Sequence, residues 1–144
     1  MNGSILIASQ APWFDTSIPA IKTYQDAMNK YVPGLTSSSQ FGPDYLSPWI
    51  GGKLFEAAAK AGNLTPSSTP AQLKQGLYKL KNETLGGLAG PLNYTPGKPA
   101  FPSCYWNVKV QNGKFTNATG ATATCPTTAQ VTALATILAK AAKG

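Results

Sequence analysis

Residues 41–63, FGPDYLSPWIGGKLFEAAAKAGN, are the stretch around which the chain is organised, with Tyr45 and Trp49 as aromatic anchors ahead of an aliphatic run. Ser47-Pro48 suits an N-cap and first helical position, because the N–H that proline lacks would be unpaired there anyway. Ile50, Leu54, Ala57, Ala58 and Ala61 recur at three- and four-residue spacing and so share one helix face. Gly62-Asn63 is a good stop, since both residues tolerate the left-handed conformation that closes a helix. So many apolar and small residues predict a buried helix. Gly51-Gly52 inside it costs about 1 kcal/mol per glycine against alanine, which predicts a close neighbour packed at that point.

The flanking chain reads as short elements. Residues 4–9 form a continuous apolar run, consistent with a strand buried on both faces in an α/β protein. An exposed-looking Trp13-Phe14 pair follows, then capping residues at Asp15, Thr16 and Ser17, and a helix from Pro19 to about Tyr31 whose stripe is Ile21, Tyr24, Met28 and Tyr31. Thr69 to Gln72 reads as a capping box with Pro70 at the first helical position, and Leu73, Leu77 and Leu80 carry that helix to about Asn82. Residues 92–94 suggest a short strand after a glycine-rich loop. Residues 104–110 alternate cleanly, and Asn112-Gly113 is a strong hairpin signal with Phe115 on the return strand. From Gln130 to Ala142, Val131, Leu134, Ile137, Leu138 and Ala141 lie at helical spacing, giving a terminal helix or tail.

Composition closes off several functions. Charged residues are only 12% of 144, about half the usual share, while 14 glycines and 12 prolines make the chain loop-rich. The net charge of +7 comes from singly scattered lysines, and there is no arginine, so no basic stripe of the kind that tracks nucleic-acid phosphates is present. Without histidine no Ser-His-Asp or Cys-His arrangement can be built, nor a His-containing zinc site, and two cysteines alone do not hold zinc. Five carboxylates leave a glycosidase-type pair open, with Asp44 and Glu56 as the residues to mutate, but none sits in a recognisable signature. The expectation is a non-enzymatic protein without cofactor or metal.

No window reaches the ~18–20 apolar residues of a membrane-spanning helix, and no signal peptide is recognisable. Met1-Asn2-Gly3 leads directly into an internal-looking strand, so the chain reads as a fragment with upstream residues missing. Cys104 and Cys125 flank the hairpin. Two buried thiols are one reading, but Cys125 lies in a polar stretch where a buried thiol is out of place, which favours a disulfide. Such a bridge stabilises by about 3 kcal/mol in the chain-entropy model and points to an exported protein.

The order of these segments resembles a known family. PAIKTYQDAMNKYVPG (19–34), KLFEAAAKAGN (53–63), AQLKQGLYKL (71–80), LGGLAGPLNYTPGKPA (85–100) and CYWNVKVQNGKF (104–115) together look like the C-terminal third of the type 1 periplasmic binding proteins. Within these the likeness is to the branched-chain amino-acid (Leu/Ile/Val-type) substrate-binding proteins of ABC transporters. The resemblance spans about 1–125, with 126–144 as a C-terminal helix or tail. It departs at Trp49-Ile50-Gly51, where the family commonly has Tyr-Asp-Ala.

The resemblance implies an α/β fold, part of a two-lobe architecture with helices packed on a sheet and a C-terminal β-hairpin. It implies an extracytoplasmic, exported protein that captures an amino acid or related small molecule between lobes and passes it to an ABC permease. An extracellular sensor or interaction module reusing the lobe is the alternative. By position, Tyr45, Trp13 and Phe14 are the candidate ligand-binding residues, forming an aromatic wall. The groups that hold a ligand's carboxylate and ammonium in the family lie upstream and have no counterpart here, so the isolated chain is expected to bind poorly. Open sheet edges make self-association a further expectation.

Overall fold

β2, Trp106–Gln111, is the strand on which the sheet is built. In the computed structural model, which describes residues 2–98, 100 and 103–141 without the side chain of Ala135, β1 (Ile5–Ala8) and β3 (Lys114–Asn117) pair with its two edges. Both pairings are antiparallel: Leu6 faces Val108, Ala8 faces Trp106, and Val110 faces Phe115. The β2–β3 turn is Asn112-Gly113, with φ of 50° and 73°, the doubly positive backbone that the Asn-Gly pair favours. The alternation in β2 holds as expected, with Trp106 and Val108 each 1% exposed on the inner face. Among the described residues four α-helices complete a mixed α/β architecture: α1 (Pro19–Tyr31), α2 (Pro43–Gly62), α3 (Pro70–Lys79) and α4 (Thr128–Ala141). The core lies between the inner face of the sheet, α1 and the first half of α2, with Trp13, Ile21, Tyr24, Leu46, Leu88 and Trp106 among its members. The expected helix end at Ala142 lies outside the described residues.

β1 corrects the expectation of a strand buried on both faces. It is an edge strand with a single neighbour, and Ile5 and Ile7 are 64% and 76% exposed. A continuous apolar run is the mark of a strand covered on both faces, whereas here the Ile5/Ile7 face is open and Leu6 on the other face is still 42% exposed. Residues 92–94 are likewise not a strand, since Leu92 makes only an isolated bridge with Glu83.

The helix boundaries show which signals competed. α1 starts at Pro19 as expected, but its N-cap is Ile18, which makes no side-chain cap; the Asp15 carboxylate accepts hydrogen bonds from Ser17 instead. Ile21 and Tyr24 are buried, whereas Tyr31, expected on the same stripe, is exposed at the helix end. α2 begins at Pro43 after Gly42, so Pro48 is an interior proline rather than the first helical residue. Two prolines five residues apart each fit a first-turn position, and the earlier one starts the helix; Pro48 then leaves one carbonyl of the preceding turn without its helical N–H. Gln10 braces this start, its Nε2 donating to the Pro43 carbonyl at 3.0 Å while its Oε1 accepts from Ser47 Oγ at 3.2 Å. Asn63, at φ 50° and ψ 47°, closes α2 in the left-handed conformation that its sequence predicts. α2 is half-buried rather than buried: Leu46 and Ala58 are its fully covered residues, and Phe55 is exposed.

α3 opens with the expected capping box, Thr69 accepting from the Gln72 N–H and Gln72 Oε1 accepting from the Thr69 N–H at 2.7 Å. α2 and α3 form an antiparallel hairpin whose backbones touch at glycines. A Cβ on Gly76 would overlap the Ala58 carbonyl, and one on Gly62 would lie 3.3 Å from the Gly76 Cα. The close approach expected at Gly51-Gly52 is therefore found elsewhere, since a Cβ at either of those positions meets open space. Their cost is not offset by packing within the described residues.

Cys104 and Cys125 are joined by a disulfide, reinforced by the Tyr105–Thr124 backbone bridge. The bond is compatible with an oxidising, extracytoplasmic compartment. Among the described residues no helix is long and apolar enough to cross a membrane. α4 follows the disulfide directly, and its Val131, Leu134, Ile137 and Leu138 are all at least half exposed.

The glycine geometry makes opposite predictions for two alanine substitutions. Gly76→Ala is expected to destabilise by about 2 kcal/mol or more, because backbone must move to admit the methyl. Gly51→Ala is expected to stabilise by up to about 1 kcal/mol, as a helix-interior alanine in open space. Urea midpoints of the two variants check both signs.

Candidate functional site

Trp49, Lys53, Glu56 and Lys60 follow one another at steps of four, three and four residues, so α2 carries all four on one side. That side forms a wall of a cavity of about 520 Å³. Ala20 and Thr23 of α1 line it as well, as do Ala57 and Ala61 of α2 and, from the end of α3 onward, Leu80, Glu83, Leu85, Gly86 and Leu88. The size lies within the ~300–1,000 Å³ of small-molecule sites, and the lining is the usual mixture of apolar floor and a few placed polar groups.

The charged wall is a chain of ion pairs. Glu56 accepts from Lys60 Nζ at 2.6 Å through Oε1 and from Lys53 Nζ at 3.0 Å through Oε2. The hydrogen bonds from Lys60 and then Lys53, with the charges of both ammonium groups, hold the Glu56 carboxyl down at about 2. Lys53 Nζ also stands 5.6 Å from the centroid of the Trp49 ring, within cation–π range. The Trp49 indole Nε1 is buried and has no hydrogen-bond partner among the described residues. An unmet buried donor of this kind costs about 1–3 kcal/mol.

The loop across from α2 in sequence, 83–88, carries strained backbone. Leu85, Gly86 and Gly87 have φ of 55°, 73° and 96° in succession. Glycine adopts this region freely, but leucine pays about 1–2 kcal/mol for it. Leu85 is held there by its buried side chain and by Glu83 Oε1, which accepts from the Leu85 N–H at 2.6 Å. Strain retained at a cavity wall is a feature of sites more often than of plain scaffolding.

The three residues singled out from sequence fall into two aromatic groups, and none of them lines this cavity. Trp13, expected to be exposed, is only 9% exposed, because Phe115 of the hairpin packs edge-on against it at 5.1 Å. Phe14 is half-buried, 5.1 Å from Trp13 and stacked at 6.1 Å on Phe115. Beneath this cluster, Asn117 Nδ2 donates to Asp15 Oδ2 at 2.6 Å. Burial pushes the Asp15 carboxyl up, but hydrogen bonds from the Ser17 side chain, Asn117 and the Ser17 N–H outweigh it and hold the group below its ordinary value. Tyr45 is 39% exposed and belongs to the other group: it lies 6.3 Å from Phe41, which stacks on Tyr24 at 5.9 Å, and Tyr24 is 5.7 Å from Trp49. Tyr45 thus reaches the cavity only through that aromatic series.

Sequence reasoning names Glu56 only as half of a carboxylate pair with Asp44 and passes over Lys53, Lys60, Glu83 and Leu85. The signal for Lys53 and Lys60 is present as charge at helical spacing around Glu56, on the face adjoining the apolar stripe. For Leu85 no signal existed, since its left-handed backbone is imposed by Glu83 and the glycines after it.

Two titrations follow from these environments. Burial, and after it the nearby Tyr45, push the Tyr24 hydroxyl up to about 12 from an ordinary 10.0. The unfolded chain then loses this proton first, so stability is unaffected below pH 10 and falls as the pH rises from there toward 12. Phenolate absorbance and urea midpoints against pH check it, and Tyr24→Phe is expected to remove that part of the alkaline loss. Glu56 acts in the opposite direction: its contribution is complete above an ordinary 4.5 and disappears as the pH falls toward about 2. Glu56→Gln is expected to flatten the stability profile in that acid window.

Comparison with protein-family models, curated proteins and solved structures yields no match, so the site is interpreted from its own geometry.

Proposed function

We propose that this chain is the ligand-capturing part of an exported, extracytoplasmic solute-binding protein of the type 1 periplasmic binding class, which takes up an amino acid or related small molecule and delivers it to an ABC permease. The cavity of about 520 Å³ carries this reading, because it combines an apolar floor of leucines and alanines with ammonium and carboxylate groups. A solute with an apolar body and a charged head is matched on both counts. Binding is favoured over chemistry by the residue inventory, which has no histidine and no arginine. The disulfide suits an oxidising compartment. Trp13, Phe14 and Tyr45 do not line this cavity, which is walled by this chain alone. That difference moves the expectation for the isolated chain from poor binding to measurable binding.

A second reading, an extracellular sensor or interaction module, is favoured by one observation: β1 and α4 expose Ile5, Ile7, Val131, Leu134, Ile137 and Leu138.

Thermal shift and calorimetric titration of the chain against aliphatic and aromatic amino acids, their amides and the matching acids test the first reading. A ligand present at a hundred times its Kd stabilises the folded state by about 2.7 kcal/mol, a readily measured rise in Tm. Binding by at least one class is the expected result. Silence across all of them would sink the solute-binding reading and leave the interaction module.

A further inference from the structure

We infer that α4 is a membrane-docking helix whose apolar face seats in the surface of an anionic lipid bilayer. The inference stands on surfaces outside the cavity and holds whether or not the cavity takes a solute. α4 is specified by its own residues: Thr127 Oγ1 accepts from the Gln130 N–H at 3.3 Å and Gln130 Oε1 accepts from the Thr127 N–H at 2.8 Å, a capping box like that of α3. Val131, Leu134 and Leu138 recur at steps of three and four and share one face, with Ile137 at its margin. Thr132, Thr136 and Lys140 lie on the opposite side, where both threonine hydroxyls donate to the carbonyl one turn back at 2.9 Å. Among the described residues no helix or strand packs extensively against α4, and the four large aliphatic side chains are each at least half exposed. Its 14 residues rise about 1.5 Å each, about 21 Å in all, so the helix is too short for the ~30 Å hydrocarbon core and fits along a bilayer surface.

Charge decides between a lipid surface and another protein. No carboxylate follows Glu83, whereas Lys98, Lys109, Lys114, Lys140 and Lys143 do, so most of the net charge of +7 sits in residues 84–144. None of the three strands nor α4 contains an Asp or Glu. The other uncovered apolar surface has the same character: Ile5 pairs with Lys109, and the alternation of the sheet puts Ile5, Ile7, Lys109 and Lys114 on its outer face. A second copy of the chain would meet these surfaces with the same charge. An anionic headgroup layer meets them with the opposite one and attracts each lysine near it. α4 also lacks the tryptophan, tyrosine and arginine that anchor protein interfaces, so its face offers insertion depth rather than a shaped contact.

The test mixes the full chain with vesicles of pure phosphatidylcholine and with vesicles of equal parts phosphatidylcholine and phosphatidylglycerol, and measures the bound share by co-flotation. The chain is expected to bind the anionic vesicles about tenfold or more tightly than the neutral ones, and to lose that preference in ~1 M salt, where the Debye length falls to about 3 Å. Leu134→Ser combined with Leu138→Ser is expected to weaken binding about tenfold or more, and Lys140→Gln to weaken it about fivefold on the anionic vesicles alone. These side chains are exposed, so the variants are expected to keep the fold, which circular dichroism and urea midpoints report. No binding to either vesicle overturns the inference, as does equal affinity for the two or anionic binding that survives the double substitution in a folded chain. Light scattering in lipid-free buffer covers the other occupant. A dimer that the double substitution dissociates, with no vesicle binding, assigns this face to a second copy and removes the lipid surface.

Discussion

Tyr24 is completely buried, stacks on Phe41 at 5.9 Å and lies 5.7 Å from Trp49, and through these contacts it fixes α1 against the entry and the second turn of α2. Aromatic pairs in such geometries contribute about 0.5–1.5 kcal/mol each beyond the area they bury. Their larger effect is positional. With α1 and α2 held at this separation, Ala20 and Thr23 face the same space as Trp49 and Ala57, and that space is the cavity. The Tyr24 hydroxyl is left without a partner, as is the Trp49 N–H beside it. The packing that builds the site thus strands two polar atoms close to it.

The opposite wall is made by other means. Where α2 gives a regular row of side chains, the 83–88 segment gives a run of left-handed backbone held by the Glu83–Leu85 carboxylate–amide bond and by backbone bonds such as those from the Gly87 N–H to Thr84 and from the Ala11 N–H to Leu88. Leu80, at the end of α3, and Leu85, within this segment, both line the cavity. A rigid helix on one side and a strained, locally stabilised loop on the other is an arrangement in which one wall sets the position of the polar groups and the other sets the volume.

Much of the fold could be read before any coordinates, and the exceptions have physical causes. The capping box at Thr69, the αL stop at Asn63, the Asn-Gly turn and the buried alternation of Trp106 and Val108 are all local signals, fixed within a few residues, and each holds. The errors concern neighbours that sequence does not name. The apolar run in β1 was read as burial, but burial depends on how many partners a strand has, and β1 has one. The glycines of α2 were expected to mark close packing, yet the contact is made by Gly76 against Ala58, a pairing set by how α3 crosses α2. The same holds for the site. Trp13, Phe14 and Tyr45 stand out in sequence as aromatics near a helix entry, whereas the cavity gathers charged residues from the middle of α2 with a loop more than twenty positions away. Helical spacing shows that Trp49, Lys53, Glu56 and Lys60 share a side, but only the tertiary arrangement shows what that side faces.

The Cys104–Cys125 bond gives the hairpin region a different kind of persistence from the rest of the molecule. If β3 peels away from β2, the 105–124 loop stays closed at its base, and the strand remains within a small volume of its partner. Re-pairing is then an intramolecular event at the high effective concentration of a short loop, with most of the closure entropy already settled by the covalent link. Phe115 rides on that loop, and so the packing around Trp13 and Phe14 is restored with it. The α2–α3 hairpin has no such tether: among the described residues it is held by side-chain packing and the glycine contact alone. Local opening is thus expected to be brief and self-repairing at the C-terminal sheet, and longer-lived around the helices that bound the cavity.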